Sequence, residues 1–389
     1  MSSTPSVIGW SHSRFGRLPH EGVQDLIAEV SAEAVTDAGL QPADIGGIYV
    51  GVFNNGFSKQ SFEAALVGAG NKQLARIPAA RVENACASGS AALFAALDFV
   101  EAGRGKAALV IGAEKMTATV PHVLDDVLLG ATHRKTEAEA GSFAGVFGAL
   151  AARYADRFGD PREALAAIAA KNHRHGVANP YAHLRTDLGF EFCATESERN
   201  PRVAGPLLRT DCSMVSDGAA ALVVAAPPLA RRARRAVAVT ARAQANEPLP
   251  VSERRDPLRW DGAATAFHTA LAEAGLRTTE LDLMELHDCF TLAELLQYEA
   301  FGLASQGKGG EVLAEGTTQR EGALPVNVSG GLKARGHPVG ATGVSQHIMA
   351  AMQLTGEAGE MQLPKAERAA VFNMGGVAVA NYATVLERS

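Results

Sequence analysis

A helix–glycine–strand pattern occurs twice along this 389-residue chain, and it is the feature that most constrains the fold. In the first copy, the helix-forming residues 34–39 (AVTDAG) are followed by the apolar stretch 44–50, and in the second, residues 270–275 (ALAEAG) are followed by 281–286. Each copy predicts a helix that stops at a glycine, a turn and a strand. Matching order at this long spacing predicts two similar βα halves, not a short-period solenoid.

The parallel between the two copies continues further along the chain. Residues 84–86 (NAC) precede a helix in the first half, and residues 327–331 (NVSGG) open a glycine-rich loop and helix in the second. The apolar stretches 107–112 and 369–374 then occupy matching places. Strands that alternate with helices predict a mixed sheet wrapped by helices in each half.

The composition is that of an ordinary globular protein, with 47% hydrophobic and 20% charged residues. The formal net charge of −6 argues against nucleic acid as a partner, because phosphate backbones require a concentrated basic face. The basic cluster 231–235 (RRARR) is interpreted as a solvated connector between the halves. The N-terminus has no signal-peptide pattern, and no apolar run approaches the roughly 20 residues that span a bilayer. We therefore expect a cytoplasmic protein without a membrane partner.

Cys86 lies in residues 82–90 (VENACASGS), directly before the apolar, helix-forming run 91–97. A thiol at a helix N-terminus meets unpaired backbone N–H groups and the positive end of the helix dipole, which lower its pKa from about 8.5. Cys86 is therefore a candidate nucleophile. A buried structural cysteine is the alternative on this segment alone.

The spacing of the cysteines bears on disulfides and metal binding. The four cysteines form no C-x-x-C pair and have no histidine at ligand spacing, which predicts a reducing compartment and no metal site. Cys193 and Cys212 are interpreted as structural. The glycine-rich segments match neither a dinucleotide-binding nor a phosphate-loop pattern, so no tightly bound cofactor is expected.

Two later segments, 286–291 (LHDCFT) and 329–343 (SGGLKARGHPVGATG), carry the chemistry that Cys86 requires. Together with the cysteine turn they resemble the thiolase superfamily, and in particular the sterol-carrier-protein type, whose catalytic domain has His-Asp-Cys-Phe where the commoner thiolases have Asn-Glu-Ala-Phe. The resemblance covers most of the chain and includes further motifs at residues 112–116 (GAEKM), 171–174 (KNHR), 179–182 (NPYA) and 211–220 (DCSMVSDGAA).

The resemblance implies an α/β thiolase fold, in which two duplicated βα halves form a five-layered αβαβα stack. The N-terminal half comprises residues 1–114 and 208–230, and the C-terminal half comprises residues 236–389. Residues 115–207 correspond to an inserted loop domain that covers the active site and binds coenzyme A in relatives. Within this insertion we expect helices near residues 148–157 and 162–172.

The resemblance also implies roles for individual residues. Cys86 would accept the acyl group as a thioester, and His337, in the Gly-His-Pro turn, would deprotonate it. Cys289 would act as the second acid/base, because residues 372–376 (FNMGG) contain no cysteine where the commoner thiolases carry one.

Two oxyanion sites are expected for the charges that develop on thioester oxygens. In the family, one site combines His337 with a water held by His287, and the other uses the backbone N–H groups of Cys86 and Gly375. A set of glycines is expected to let the backbone approach the thioester closely, namely Gly330, Gly331, Gly340, Gly343, Gly375 and Gly376.

The function that the resemblance implies is that of a CoA-dependent acyltransferase, which would cleave 3-ketoacyl-CoA with coenzyme A or condense two acyl-CoA molecules. One alternative is a specialised C-acyltransferase or retro-aldolase that works with a small OB-fold partner. Another is a non-catalytic acyl-CoA-binding subunit, since fold alone does not fix function. Family precedent and the frequency of two-fold assemblies predict a homodimer or homotetramer.

Overall fold

The computed structural model describes residues 4–53 and 56–389. The strands are β1 (Ser6–His12), β2 (Gly47–Gly51), β3 (Ala79–Val82), β4 (Ala107–Glu114), β5 (Arg202–Ala204), β6 (Leu207–Leu208), β7 (Gly218–Ala225), β8 (Val237–Asn246), β9 (Leu283–Glu285), β10 (Arg368–Gly375) and β11 (Ala380–Arg388). The helices are α1 (Val23–Asp37), α2 (Glu63–Gly70), α3 (Ser88–Glu101), α4 (Pro121–Leu129), α5 (Arg134–Glu137), α6 (Phe143–Phe158), α7 (Arg162–Gly176), α8 (Phe190–Ala194), α9 (Pro227–Ala230), α10 (Asp261–Ala274), α11 (Thr291–Ala300), α12 (Gly309–Ala314), α13 (Gly331–Arg335) and α14 (Thr342–Thr355).

The main sheet has the order β3-β2-β4-β7-β1-β8-β11-β10-β9. Its centre is the narrow junction between β1 and β8, where Ser6 pairs with Ala238 and Val7 with Val237. On each side of this junction the strands are antiparallel first and parallel at the outer edge. The outermost position of the C-terminal side is a single parallel bridge from Met284 to Val326, which corresponds to β3. This matched order confirms the predicted duplication.

Alternating side chains on the strands build the layers, because successive residues of a strand face opposite sides of the sheet. On β4, Leu109 and Ile111 pack toward α1 and α2, whereas Ala108 and Val110 pack toward α3 and α14. Helices α3 and α14 also cover Val371 of β10. The opposite face of β10 packs on α10 and α11. The layers are thus α1/α2, the N-terminal strands, α3/α14, the C-terminal strands and α10/α11. The predicted five-layered stack is confirmed.

The segment 115–207 joins β4 to β6 and contains α4 to α8 and β5. The two helices expected within it are confirmed as α6 and α7, and both are longer than the sequence pattern indicated. Helix α6 buries Phe147 and Leu150 against the C-terminal half. Within the residues that the structure describes, every helix is too short or too polar to cross a membrane.

The interpretation of residues 231–235 as a solvated connector is wrong for Arg235. Its side chain is 7% exposed and forms ion pairs with Asp37, at the end of α1, and with Glu357, directly after α14 (2.9 Å). Its guanidinium also lies 3.7 Å from the ring centroid of Trp10 on β1. Arg235 therefore ties the connector to both halves, and the charge pattern concealed this role because its acidic partners are distant in sequence.

Candidate active site

Cys86 occupies a tight turn between β3 and α3, two residues before the helix begins. Ala85 has a φ of 49°, in the left-handed region that side chains rarely adopt. The hydroxyl of Ser88 accepts from the Asn84 N–H (2.9 Å) and donates to the Ala85 carbonyl (2.6 Å). A Cβ at Gly375 would lie 2.3 Å from the Asn84 carbonyl oxygen, so only glycine fits where β10 meets this turn. The turn is held by the Ser88 hydroxyl and by close packing against the C-terminal half.

The prediction that the pKa of Cys86 is lowered is wrong for this structure. The thiol is 5% exposed, and burial raises its pKa to about 12, with the carboxylates of Glu114 and Glu83 acting in the same direction. The backbone amide of Gly376, next to the predicted Gly375, favours the thiolate but does not outweigh desolvation. Loss of hydration destabilises the thiolate more than the nearby helix N-terminus stabilises it. Cys86 is therefore a neutral thiol in the free protein.

The structure brings Cys86 together with both predicted histidines. The Cys86 sulfur, one nitrogen of His287 and one nitrogen of His337 all lie within 4.8 Å of one another. The two imidazole rings are nearly perpendicular, with centroids 5.2 Å apart and an interplanar angle of 85°. These groups come from two loops of the C-terminal half and one turn of the N-terminal half.

His337 follows α13 and precedes α14. Its backbone N–H donates to the Met214 carbonyl (3.2 Å), and its Nδ1 lies 2.6 Å from the hydroxyl of Thr342. That hydroxyl is 3.0 Å from the Pro338 carbonyl, to which it donates. Burial lowers the pKa of His337 to about 3, with the Arg335 charge acting in the same direction. The imidazole is therefore neutral at physiological pH, and one of its ring nitrogens carries a lone pair.

His287 is fully buried and contacts Asn373 on β10, a residue that the sequence analysis did not single out. The Asn373 side-chain amide lies 2.8 Å from His287 Nδ1 and donates to the Cys86 carbonyl (3.1 Å). Its oxygen accepts from the hydroxyl of Ser90 on α3 (2.8 Å). Burial holds the pKa of His287 well below its ordinary value. The signal for Asn373 was present, since it belongs to the stretch 372–376 that was noted for lacking a cysteine.

Cys289 is 2% exposed and lines the same cavity as Cys86 and His337. Its carbonyl accepts from the Ser213 N–H (2.9 Å), which joins its loop to the segment before β7. Burial raises the pKa of Cys289 well above its ordinary value, and the nearby Cys86 acts in the same direction. The two thiols thus face one space as neutral groups.

Asp288, between His287 and Cys289, holds this loop against α13. Its carboxylate accepts from the backbone N–H groups of Leu332 (2.6 Å) and Lys333 (3.1 Å), and from the side chain of Asn172 on α7 (2.7 Å). A Cβ at Gly331 would lie 2.3 Å from an Asp288 oxygen. Gly331 therefore makes room for a carboxylate, not for a thioester as the sequence suggested.

Gly340 and Gly343, two more of the glycines expected near the thioester, also allow segments of the protein to pack closely. A Cβ at Gly340 would lie 2.5 Å from the Gly51 carbonyl oxygen, and one at Gly343 would lie 2.4 Å from the Asn373 side-chain oxygen. At these two positions the absence of a side chain serves contacts within the protein, and approach of the backbone to a thioester stays a prediction. The room they leave allows α14 to approach β2 and Asn373.

A cavity of about 160 Å³ opens at the two thiols. Its wall is mainly apolar and includes residues of the 115–207 segment, of the segment before β7 and of the C-terminal loops: Phe53, Met116, Leu124, Leu128, Phe143, Val203, Met214, Val215, Phe290 and Val339. Cys212, interpreted as structural, also lines this cavity, whereas Cys193 packs against Ala166 and Ala169 away from it. The space suits a short apolar group attached to a reacting carbonyl.

The sequence argument against a metal site relied on ligand spacing along the chain. The tertiary structure, however, brings together possible ligands that are far apart in sequence. Cys86, His287 and His337 are distant in sequence but form a cluster of one sulfur and two nitrogens. By atom type this set is one that zinc binds. A histidine ligates only through an unprotonated nitrogen, so the fit depends on which nitrogen of each ring carries the proton.

Comparison with known proteins identifies the family of this chain. Residues 7–192 match the family model for the thiolase N-terminal domain, and residues 243–388 match the thiolase C-terminal domain-like model. An acetyl-CoA acetyltransferase of Methanothermobacter thermautotrophicus is 37% identical over 374 residues, covering 95% of this chain and 96% of that protein. Human sterol carrier protein 2 is 32% identical over 393 residues, covering 95% of this chain and 69% of that protein.

Solved structures share the fold at lower identity. An Ltp2-ChsH2(DUF35) aldolase superposes with a TM-score of 0.84 at 20% identity, covering 99% of this chain and 98% of that chain. A monomeric SCP2-thiolase like protein type 1 from Mycobacterium smegmatis gives 0.74 at 19% identity, covering 99% of this chain and 77% of that chain. The two domain models span most of the sequence in the order that the duplicated fold requires. The chain therefore belongs to the thiolase family.

Proposed function

We propose that this chain is a CoA-dependent acyltransferase that forms an acyl-enzyme on Cys86. The observation that carries the proposal is that the two thiols and the neutral imidazole of His337 line one apolar cavity, with the His287 imidazole clustered behind Cys86 and His337. A relative 37% identical over most of the chain is named acetyl-CoA acetyltransferase, which supports the same reaction class. The substrates are coenzyme A and acyl-CoA esters, with no tightly bound cofactor.

In the cleavage direction, the Cys86 sulfur attacks the 3-keto carbon of a 3-ketoacyl-CoA, and its proton passes to His337. Because the free thiol has a high pKa, proton transfer accompanies attack instead of preceding it. The negative charge on the former keto oxygen is held by the backbone N–H groups of Cys86 and of the Gly375–Gly376 turn.

The carbon–carbon bond then breaks, leaving an acyl group on Cys86 and the enolate of acetyl-CoA. Protonated His337 and the ring N–H of His287 stabilise the enolate oxygen, directly or through a water, while Cys289 donates its proton to the carbon. Free CoA enters, returns a proton to the Cys289 thiolate and attacks the thioester. The Cys86 thiolate leaves and regains its proton from His337, so the enzyme returns to its starting state.

The test uses acetoacetyl-CoA and CoA, followed by loss of the ketoacyl absorbance, and then a series of 3-ketoacyl-CoA esters from short to steroid-sized. Incubation with acetyl-CoA and peptide mass spectrometry identifies the acylated residue. We expect turnover and an acetyl group on Cys86. Ligand binding without turnover would instead favour a non-catalytic acyl-CoA-binding subunit.

The segment 115–207 is proposed to cover the site and bind coenzyme A. It contributes Met116, Leu124 and Phe143 to the cavity wall, which supports a position over the acyl group. Protection of this segment from hydrogen exchange by CoA would support the assignment. Equal protection throughout the chain would argue against it.

A retro-aldolase that acts with a small partner protein is the alternative, because a structural neighbour of high TM-score is titled an aldolase. Retro-aldol cleavage does not require a nucleophilic thiol, whereas this chain places Cys86 and Cys289 at one cavity. Release of an aldehyde or ketone from a 3-hydroxyacyl-CoA, unaffected by loss of Cys86, would favour the alternative.

A homodimer or homotetramer is also proposed. Strand β3 lies at the outer edge of the sheet beside the Cys86 turn, and its Ala79, Ala80 and Arg81 are exposed. An exposed edge with free backbone groups is suited to pair with a second copy. Light scattering is expected to give a multiple of 40.5 kDa, and an active monomer would reject the proposal.

A further inference from the structure

We propose that Asn373 is a positioning residue that fixes His287 as a hydrogen-bond donor and thereby prevents the Cys86–His287–His337 cluster from binding a metal. The inference deepens the proposed function, on which its catalytic meaning rests. It starts from the amide of Asn373, whose orientation is determined by its surroundings. Oxygen and nitrogen of a side-chain amide are distinguished by their hydrogen-bond partners.

The Cys86 carbonyl determines which end of the Asn373 amide faces the site. A carbonyl oxygen only accepts, so the group 3.1 Å from it is the NH₂ group and not the oxygen. The Ser90 hydroxyl donates to the oxygen at the other end, 2.8 Å away. A flipped amide would place two acceptors against each other at the Cys86 carbonyl.

The same NH₂ group has a second hydrogen, which is directed to His287 Nδ1 at 2.8 Å. His287 Nδ1 must therefore accept, and in a neutral imidazole the proton then resides on Nε2. His287 Nε2 is buried and has no hydrogen-bond partner among residues 4–53 and 56–389. An unpaired buried N–H is costly unless it serves a ligand, so this donor is available for a developing oxyanion.

His337 has the opposite arrangement. The Thr342 hydroxyl donates its hydrogen to the Pro338 carbonyl and is therefore an acceptor toward His337 Nδ1. The proton of His337 resides on Nδ1, and its Nε2 carries a lone pair. The two histidines thus present different groups, a base on His337 and a donor on His287, because Thr342 accepts where Asn373 donates.

This difference has a consequence for metal binding. A ring nitrogen that bears a proton cannot ligate, and moving the His287 proton to Nδ1 would set it against the Asn373 NH₂ group. Of the three groups in this cluster of described residues, Cys86 and His337 remain as ligands, too few for a stable zinc site. Asn373 therefore prevents zinc from occupying Cys86, His287 and His337, and these groups stay available for catalysis.

The test replaces Asn373 by aspartate, whose carboxylate accepts from Nδ1–H and so transfers the proton away from Nε2. We expect Asn373→Asp to bind Zn²⁺ about 10–100-fold more tightly than the parent protein, the usual influence of a partner behind a histidine ligand. Zinc affinity is measured by competition with a chromophoric chelator. Asn381→Asp, which alters a buried asparagine on the neighbouring strand β11, is the matched control and should leave zinc affinity unchanged.

Two further measurements remain decisive if the aspartate variant folds poorly. Nitrogen NMR of the parent protein labelled at histidine should show His287 protonated at Nε2 and His337 at Nδ1. Asn373→Ala, which removes the donor without adding an acceptor, should shift the His287 proton toward a mixture of both nitrogens. Its acyl transfer should fall by about 10²–10³-fold, as when one oxyanion donor is lost.

His287 protonated at Nδ1 in the parent protein would overturn the proposal. Parent and Asn373→Asp proteins with equal zinc affinity would also overturn it. Because neither readout depends on turnover, they test Asn373 even if the acyltransferase assay fails, and that failure would count against the proposed function alone.

Discussion

The two halves of the molecule share a strand and helix plan but differ in the loops at one end of their strands. In the N-terminal half, only residues 83–87 separate β3 from α3, and this turn presents Cys86. In the C-terminal half, residues 327–341 separate the equivalent bridge at Val326 from α14 and present His337. The short turn holds the proposed nucleophile, and the longer loop has room for the proposed base and for the contacts that orient it.

The same contrast applies to the loops after the neighbouring strands. Strand β9 leads into a loop that presents His287 and Cys289. Strand β10 carries Asn373 near its end and finishes at Gly375. Strand β4, the counterpart of β10, instead leads into the 115–207 segment, which supplies cavity wall. In the proposed mechanism, the N-terminal half contributes the attacking atom and the cover, and the C-terminal half contributes the proton-transfer groups. The two halves thus share a core plan and differ in the loops that carry the proposed functional residues.

Removal of the proposed nucleophile should have the largest effect of any test of these separate roles of the two halves. Cys86→Ala is expected to reduce acyl transfer by about 10⁶-fold, as for other enzymes that lose the attacking atom. Thiolysis of acetoacetyl-CoA and intact-protein mass spectrometry measure the effect. Cys193→Ala, which removes a buried thiol outside the cavity, is the control and should retain activity. Acylation of another cysteine in the Cys86→Ala protein would contradict the assignment.

Removal of the second thiol should separate two steps. Cys289→Ala is expected to slow ketoacyl cleavage and exchange of acetyl-CoA methyl protons with deuterated water by about 10²–10⁴-fold, the range for a lost acid/base. Cys86 should still accept an acetyl group, because that step depends on His337. Mass spectrometry and NMR of the exchange measure the two steps. Normal cleavage by this variant would mean that another group moves the proton.

Loss of the donor on the C-terminal side should slow turnover without abolishing it. His287→Ala is expected to reduce kcat by about 10²–10³-fold, the usual cost of removing one oxyanion donor. Steady-state kinetics with acetoacetyl-CoA measure the effect, and KM should change little if the interaction forms chiefly in the transition state. An unchanged kcat would remove His287 from the reaction.

The pH dependence of Cys86 reactivity is the mildest test. Because burial raises the pKa of Cys86 to about 12, the thiolate fraction rises with pH throughout the neutral and alkaline range below that value. Alkylation by iodoacetamide should therefore accelerate by about tenfold per pH unit from pH 7 to 10. A small model thiol, with a pKa near 8.5, should reach a plateau in the same series. A plateau for Cys86 at neutral pH would restore the prediction of a lowered pKa.

The sequence alone determined the duplicated fold, because glycine stops and apolar strands are local signals that survive in each half. The helix start singled out Cys86, and resemblance to the thiolases added His287, Cys289 and His337, since each belongs to a motif whose residues are contiguous. The structure then placed these side chains together. Their individual roles stay predictions that the variants above test.

The tertiary structure decided the protonation and surroundings of these groups. Desolvation of Cys86 comes from packing of the two halves, so the local helix start pointed in the wrong direction. Asn373 reaches Cys86 across 287 positions of sequence, and Arg235 finds Asp37 and Glu357 in the same non-local way. A pKa or a tautomer depends on every dipole and charge within a few ångströms, and those neighbours are assembled only when the chain has folded.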